Sequence, residues 1–171
     1  MANNKRKTRS SVVKSVKHVE PKPMFEANIS EKGYTSYFKL KMYKNNKVLC
    51  KALNHLYPKK KGFEDKGEYA GLVIEQNILR EEEFEEFDDI MCQFATCFLS
   101  AEDISYSIIA HEASHLALTN ERLLKRYVGG YKNEDAKYGN VPEERLAYCL
   151  EAYVSAIIAC CKEHHIPIKD E

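Results

Sequence analysis

Residues 107–119 read SIIAHEASHLALT and place His111, Glu112 and His115 in an otherwise apolar stretch. Residues four apart lie one above the other on a helix, so the two histidines can offer imidazole nitrogens to one metal ion. Glu112 lies about 100° round the helix, where a carboxylate can take a proton from a metal-activated water. With 6 His and 20 Glu in 171 residues, chance gives this pattern about 0.02 times per chain. The spacing predicts a zinc (Zn2+) site.

The surroundings of this motif predict burial. Between residues 104 and 120 the only formally charged side chain is Glu112, which is typical of a helix buried on most sides. Buried polar groups without partners cost free energy. The alternative is that the two core histidines bond to separate acceptors while Glu112 reaches solvent, and each of the three side chains would then need its own stabilising partner. One metal ion supplies a common partner. We therefore expect His111 and His115 to be buried and paired by a metal.

A catalytic zinc ion takes three protein ligands and keeps one position for water, so a third ligand is required. A last helix is predicted from about 142 to 164, and Glu144 and Glu151 share one polar stripe on it with Tyr148. The two glutamates are about 10 Å apart along the axis, so one ion would take only one of them. Periodicity does not choose between them. The apolar sector beside the stripe consists of Leu146, Leu150, Tyr153, Val154 and Ile157.

The elements that must position these residues form an α+β domain. Two β-rich runs on either side of Asn45-Asn46 predict a hairpin, and residues 68–78 and 90–100 predict strands. The acidic segment 79–89 is expected at the surface, and its aromatics Phe84 and Phe87, three residues apart, are expected to dock it on the body as one face of a helix. Ser100 and Asp103 predict that the motif-bearing helix begins near Ala101, and it is expected to run on to about residue 128.

Charge is distributed unevenly although the whole chain is neutral. Residues 1–23 hold seven Lys/Arg and one acid, a formal charge of +6, and the remainder therefore carries −6. We expect residues 1–23 to be a disordered basic tail that can make weak nucleic-acid contacts, and residues 24–171 to be the folded domain. The absence of a long apolar run predicts no membrane span, and six irregularly spaced cysteines predict reduced thiols in a cytoplasmic protein.

The order of an apolar strand, the IIAHEASH stretch and a second helix with Glu144-Arg145-Leu146-Ala147-Tyr148 resembles the small gluzincin-type metallopeptidase domains. These include the ImmA/IrrE-like proteins and related peptidases encoded by bacteriophages. The resemblance implies a zincin-like fold, with a small, mostly antiparallel sheet packed on the motif-bearing helix and a second metal-ligand helix. It also implies that His111, His115 and Glu144 bind zinc and that Glu112 is the general base. Tyr148 stands where the ImmA-like pattern often has Asn.

The leading hypothesis is therefore a zinc metalloendopeptidase acting on a protein or peptide substrate. An apolar edge strand such as residues 93–99 is expected to hold the substrate by strand addition. Tyr148 is expected to be a packed aromatic rather than an oxyanion donor. The rival hypothesis is a non-catalytic zinc-binding regulatory or interaction protein whose basic tail contacts nucleic acid.

A second cluster of possible ligands ends the last predicted helix. CCKEHH, residues 160–165, pairs cysteines with histidines at i, i+4 spacing, which could contribute ligands to a second metal. No further Cys/His pair lies nearby to complete such a site. We therefore favour a helix end with incidental histidines, whose positive charge suits the negative end of the helix dipole.

Overall fold

A computed structural model describes residues 21–30, 36–58, 70–76, 92–127 and 142–170. These ranges contain a four-stranded mixed sheet and three helices, which confirms the α+β class. The predicted tail up to residue 20 and the acidic segment 79–89 lie outside the described residues. In chain order the elements are β1 (Phe25–Ser30), β2 (Ser36–Tyr43), α1 (Asn46–Leu56), β3 (Gly71–Glu75), β4 (Cys92–Ser100), α2 (Tyr106–Tyr127) and α3 (Pro142–Glu163).

The sheet has the strand order β1-β2-β4-β3. β1 pairs antiparallel with β2, β2 pairs parallel with β4, and β4 pairs antiparallel with β3. The prediction that residues 93–99 form an edge strand is therefore wrong, because β4 lies between two neighbours. Its residues 94–100 are all buried, which explains why its sequence is an almost continuous apolar run instead of an alternating one. The edge strand on that side is β3.

Helices cover both faces of the sheet. Cys97 and Leu99 of β4 pack in the larger core cluster, which includes residues of α2 and α3. The intervening Phe98 points to the other face, where it packs with Leu49 and Leu53 of α1. This alternation follows from the two-residue repeat of a strand. The long helices α2 and α3 thus lie together on one face, and α1 lies alone on the other.

The predicted hairpin at Asn45-Asn46 is wrong, because the second run forms α1. Asn45 is the N-cap of this helix, and its side-chain oxygen accepts a hydrogen bond of 3.0 Å from the Val48 N–H. The buried residues of α1 fall at helical spacing, with Leu49 and Leu53 one turn apart. A helix cap and a 3.6-residue repeat therefore outweigh the local β propensity of this run.

The helix that carries the histidines begins later than predicted. Residues 101–103 form a turn, and α2 starts at Tyr106 instead of near Ala101. Its C-terminal extent and the bounds of α3 agree with the predictions. The expected apolar sector of α3 is also confirmed, since Tyr153 and Ile157 are buried. Among the described residues, no helix combines the length and the apolar character that crossing a bilayer requires.

The cap of α1 gives a test of the corrected element. Asn45→Ala removes the acceptor for the Val48 N–H and should cost about 1 kcal/mol of stability. That loss corresponds to a fall in Tm of about 2–4 °C, measured by circular dichroism. Asn45→Asp, which keeps a capping oxygen, should stay close to wild type. A result in which Asn45→Ala costs no more than Lys47→Ala, at the exposed neighbouring position, would contradict the helix assignment.

Candidate metal centre

The start of α2 is fixed by hydrogen bonds at Ser105. Its hydroxyl oxygen accepts from the Ile108 N–H at 3.3 Å, and its carbonyl oxygen accepts from the Ile109 N–H at 3.0 Å. From the chain's end, the Lys169 N–H donates to the carbonyl oxygen of Ile104 at 3.0 Å. These bonds satisfy backbone groups at the helix entrance. They set the rotation of the helix and place His111 in its second turn.

The two histidines of the motif converge on the surface of α2. The Nε2 atoms of His111 and His115 are 3.1 Å apart, and the two rings are nearly perpendicular. Two nitrogens on a tetrahedral zinc ion, each bonded at 2.0–2.1 Å, would be about 3.3 Å apart. The pair therefore fits two ligand positions with little movement. The same distance also suits a hydrogen bond in which one neutral imidazole donates to the other.

The prediction that His111 and His115 are buried is wrong. His111 and His115 are exposed, whereas Glu112 is only 5% exposed. The reason is the orientation of α2, which turns the Glu112 side towards β3 and leaves the histidines facing outward. The buried polar group that needs an explanation is therefore the carboxylate. Histidine ligands at the surface remain accessible to an ion from solution.

Burial changes the acidity of Glu112. Loss of water raises the pKa of its carboxyl group to about 6, and the nearby His111 partly offsets this effect. A carboxyl group with a pKa near neutral pH can both accept and return a proton under physiological conditions. The environment of Glu112 is thus suited to acid–base chemistry beside the histidine pair.

No third ligand joins the pair within the part of the chain that the structure describes. No group of three His, Cys, Asp or Glu side chains there is arranged to hold a metal ion. Glu151 lies on α3 with an exposed side chain. Glu144 lies in the first turn of α3, and its side chain is outside the described part. The choice between these glutamates stays a prediction.

The packing of α3 on α2 determines how Glu144 and Glu151 are placed relative to the histidines. The Asn120 side chain donates to the Tyr153 hydroxyl at 2.9 Å, and Ser105 at the start of α2 forms a bridge with Lys169 beyond the end of α3. The two helices are therefore antiparallel. The N-terminal half of α3 lies beside the C-terminal half of α2, and the histidines lie beside the C-terminal half of α3.

Helix rise converts this arrangement into an axial offset. His115 precedes Asn120 by five residues, about 7 Å along α2, and Glu151 precedes Tyr153 by two, about 3 Å along α3. Because the helices are antiparallel, His115 and the glutamates lie on opposite sides of the level at which Asn120 meets Tyr153, so the two distances are summed. The axial distance from His115 is about 10 Å for Glu151 and about 21 Å for Glu144. By this estimate, neither glutamate is level with His115 along the helix axes.

Tyr148 and the C-terminal end of α3 are the subjects of two further predictions. Tyr148 is 46% exposed, so about half of its side chain is covered, and its role as a packed aromatic stays a prediction. At the C-terminal end, α3 stops at Glu163, and His164 stacks on Phe25 of β1 with ring centroids 3.9 Å apart. Cys161 is buried whereas His165 is exposed. Among the described side chains, these residues are not part of a group of three or more His, Cys, Asp or Glu arranged to hold a metal ion.

Gly71, the first residue of β3, is part of the candidate site but is not among the residues that the sequence predicts. A Cβ atom built on Gly71 would lie 2.7 Å from Cγ and 2.8 Å from Oε1 of Glu112. Farther along the same pair of elements, Arg122 of α2 forms a 3.3 Å ion pair with Glu75 of β3. β3 therefore runs beside α2 from Glu112 to Arg122. A contact between a strand and a helix 41 residues later has no signal in the local sequence pattern.

Comparison of the chain with protein-family models, with curated proteins and with solved structures finds no match.

Burial of Glu112 predicts how the metal-free protein responds to pH. The folded-state pKa of about 6 lies above the ordinary value of 4.5, so folding favours the protonated carboxyl group. Stability should fall as pH rises from about 4.5 to about 6 and remain lower above that range. Glu112→Gln, which is neutral throughout, should therefore raise the stability by up to about 2 kcal/mol at pH 7.5 and change it little at pH 4.5.

Thermal unfolding in the presence of a chelator, at the two pH values, measures this difference. Glu102→Gln is the control, because it removes an exposed carboxylate in the turn before α2. If the two variants respond to pH in the same way, burial of Glu112 is not the cause.

Proposed function

We propose that the protein is a zinc-dependent metallopeptidase in which His111 and His115 bind the metal ion and Glu112 is the general base. The observation that carries this proposal is the convergence of two imidazole nitrogens, 3.1 Å apart, beside a buried carboxylate. A bound zinc ion would lower the pKa of water and polarise the scissile carbonyl group. The remaining tasks fall to the chain's own residues.

Glu112 moves the proton in the proposed reaction. Its carboxylate accepts a proton from the attacking water and then returns it to the nitrogen of the leaving amine. Burial keeps the pKa of this group close to the pH at which both transfers must occur. Because α2 holds the carboxylate and the two histidines on neighbouring helix positions, their relative placement does not depend on a mobile loop.

The outer edge of β3 offers a place for an extended peptide. The Ser100 N–H donates to the Ala70 carbonyl oxygen, and the Gln76 N–H donates to that of Phe94. Even-numbered residues of this segment therefore direct their backbone groups towards β4, and Gly71, Val73 and Glu75 direct theirs outward. No described strand pairs with that side of β3. In the proposal, strand addition occurs here and not at residues 93–99.

Strand addition at β3 would place the substrate close to the catalytic residues. Gly71 lies against Glu112, and the ion pair between Glu75 and Arg122 holds the other end of β3 beside α2. A peptide that pairs with the outer backbone groups of β3 would run alongside α2, from the level of Glu112 towards the level of Arg122. The scissile bond would then lie near the start of β3, where the carboxylate can reach the reacting water.

The third ligand in the proposal is Glu144, by the gluzincin resemblance, with Glu151 as the alternative. Either assignment requires the N-terminal part of α3 to come closer to His115 than the antiparallel packing through Asn120 and Tyr153 places it. Metal binding supplies free energy for such a movement when the bound form is preferred. Substitution of each glutamate therefore tests which of them binds the metal ion and which part of α3 moves towards His115.

The rival function is a zinc-binding regulatory or interaction protein without turnover. The observation that favours it is the uneven charge of the chain, which is +6 over residues 1–23 and −6 over the remainder. In this proposal residues 1–23, with their charge of +6, contact nucleic acid. Salt-dependent nucleic-acid binding that disappears when these residues are deleted would support it.

Metal content tests the ligands. The full chain expressed with zinc should contain about one zinc ion per molecule, measured by mass spectrometry of the metal. His111→Ala and His115→Ala should each reduce this to a small fraction, whereas His55→Ala, an exposed histidine in α1, should not. Glu144→Gln should lower the zinc content and Glu151→Gln should not. Retention of stoichiometric zinc by His111→Ala would contradict the proposed site.

Hydrolysis tests the general base. Glu112→Gln should retain zinc but cleave an unfolded protein or a peptide library at least about 100-fold more slowly than wild type, because general-base catalysis contributes about 10²–10⁴-fold. Glu102→Gln is the matched control and should cleave at the wild-type rate. Equal behaviour of wild type and Glu112→Gln with every substrate offered, while both bind zinc, would favour the non-catalytic rival.

A further inference from the structure

Gly71 occupies a position where any side chain would collide with Glu112. The virtual Cβ atom lies 2.7 Å from Cγ, 2.8 Å from Oε1 and 3.0 Å from Cδ of that residue. Gly71 pairs regularly with Leu99 in the β3–β4 ladder, so it is ordinary strand backbone. The need for glycine is therefore a need for space and does not come from an unusual backbone conformation.

Glu112 has little room to yield on its other sides. The side chain is 5% exposed. The buried thiol of Cys97, in the central strand β4, lies near enough for the charge of Glu112 to raise its pKa. In the sheet, Cys97 pairs with Val73, two residues along β3 from Gly71. The Glu112 carboxylate thus has little free space around it, so a side chain at position 71 must displace it.

We propose that Gly71 is a positioning residue for the general base: the missing side chain at the start of β3 creates the space in which the Glu112 carboxylate is held beside the strand edge. The catalytic part of this inference rests on the proposed metallopeptidase function. The structural part, that Gly71 and Glu112 share one space, does not. The two parts have separate readouts, so their failures can be told apart.

Gly71→Ala should displace the carboxylate. A contact of 2.7 Å must lengthen to at least about 3.4 Å, because a shorter separation of two carbon atoms is strongly repulsive. The shift begins at Cγ and is carried on to the carboxyl oxygens. A misplacement of about 1 Å in a reacting group can cost about 100-fold in rate. The histidine pair has no contact of this kind with Gly71, so zinc binding should be unaffected.

A double-substitution cycle on the metal-free protein tests the shared space. Gly71→Ala should lower Tm by about 2–6 °C in the wild-type background, since overpacking destabilises a core. In the Glu112→Ala background it should leave Tm unchanged or raise it slightly, because replacing glycine reduces the entropy of the unfolded chain. Ile74→Ala, a truncation in the same strand on the face that packs against α1, is the matched control and should lower Tm equally in both backgrounds.

The outcomes of this cycle are decisive even when a variant folds poorly. If Gly71→Ala fails to fold alone but folds together with Glu112→Ala, the shared space is supported. An equal loss of Tm in both backgrounds, or failure to fold in both, overturns the proposal, because the cost would then lie elsewhere than in Glu112.

Kinetics test the positioning role. Gly71→Ala, loaded with the wild-type amount of zinc, should lower kcat about 10–100-fold with KM nearly unchanged, because the general base moves while the substrate edge remains. A normal kcat together with the expected thermal coupling would overturn the positioning role and leave only the shared space. If no variant, including wild type, hydrolyses any substrate, the proposed function fails while the thermal cycle still decides whether Gly71 holds Glu112.

Discussion

Burial of one carboxylate against the edge of the sheet is the constraint on which the candidate site depends. Glu112 is 5% exposed and packs against the bare backbone of Gly71. For this contact to form, the side of α2 that carries Glu112 must face the sheet. His111 precedes Glu112 by one residue and His115 follows it by three, so both histidines lie round the helix from Glu112 and face outward. Burial raises the pKa of the carboxyl group to about 6. The accessibility of the histidines and the acidity of the base thus have a single geometric cause.

Local sequence signals predicted the elements that carry the site. The apolar run of β4, the histidine-bearing helix and the apolar sector of α3 were all predicted, because strand and helix periods are visible in single sequences. The residues after Asn45 follow a β-rich run, so the local sequence predicts a second strand there. The helix cap that overrides this prediction depends on a hydrogen bond from the Val48 N–H to Asn45, which composition does not show. Ser105, and not Ser100, begins α2 for a similar reason, because the capping bond depends on where the preceding turn ends.

The parts that could not be predicted are those set by long-range packing. Pairing of β2 with β4 skips β3, so no adjacent sequence pattern shows that β4 is central and β3 is the edge. Helical periodicity places Glu112 about 60–100° round α2 from the two histidines, but it does not say which of these positions faces the sheet. The structure decides this, and it is the histidines, which we expected to be buried, that face outward. Gly71 could not be recognised because its importance arises from a residue 41 positions later.

The proposed metal site links this geometry to the antiparallel pairing of α2 with α3. The bond between Asn120 and Tyr153 places the N-terminal half of α3 away from the histidines, and the resemblance places the third ligand in that half. In the proposal, a zinc ion bound by both elements brings this half of α3 closer to the histidine pair. A metal-bound form should therefore differ from the described arrangement chiefly in the position of α3.

The most direct test of the central claim is anomalous scattering at the zinc absorption edge, from crystals of the full chain grown with zinc. The account predicts one peak at about 2.0–2.1 Å from the Nε2 atoms of both His111 and His115, with a carboxylate of α3 as the third ligand. Two imidazoles hydrogen-bonded to each other, with no anomalous peak between them, would contradict it.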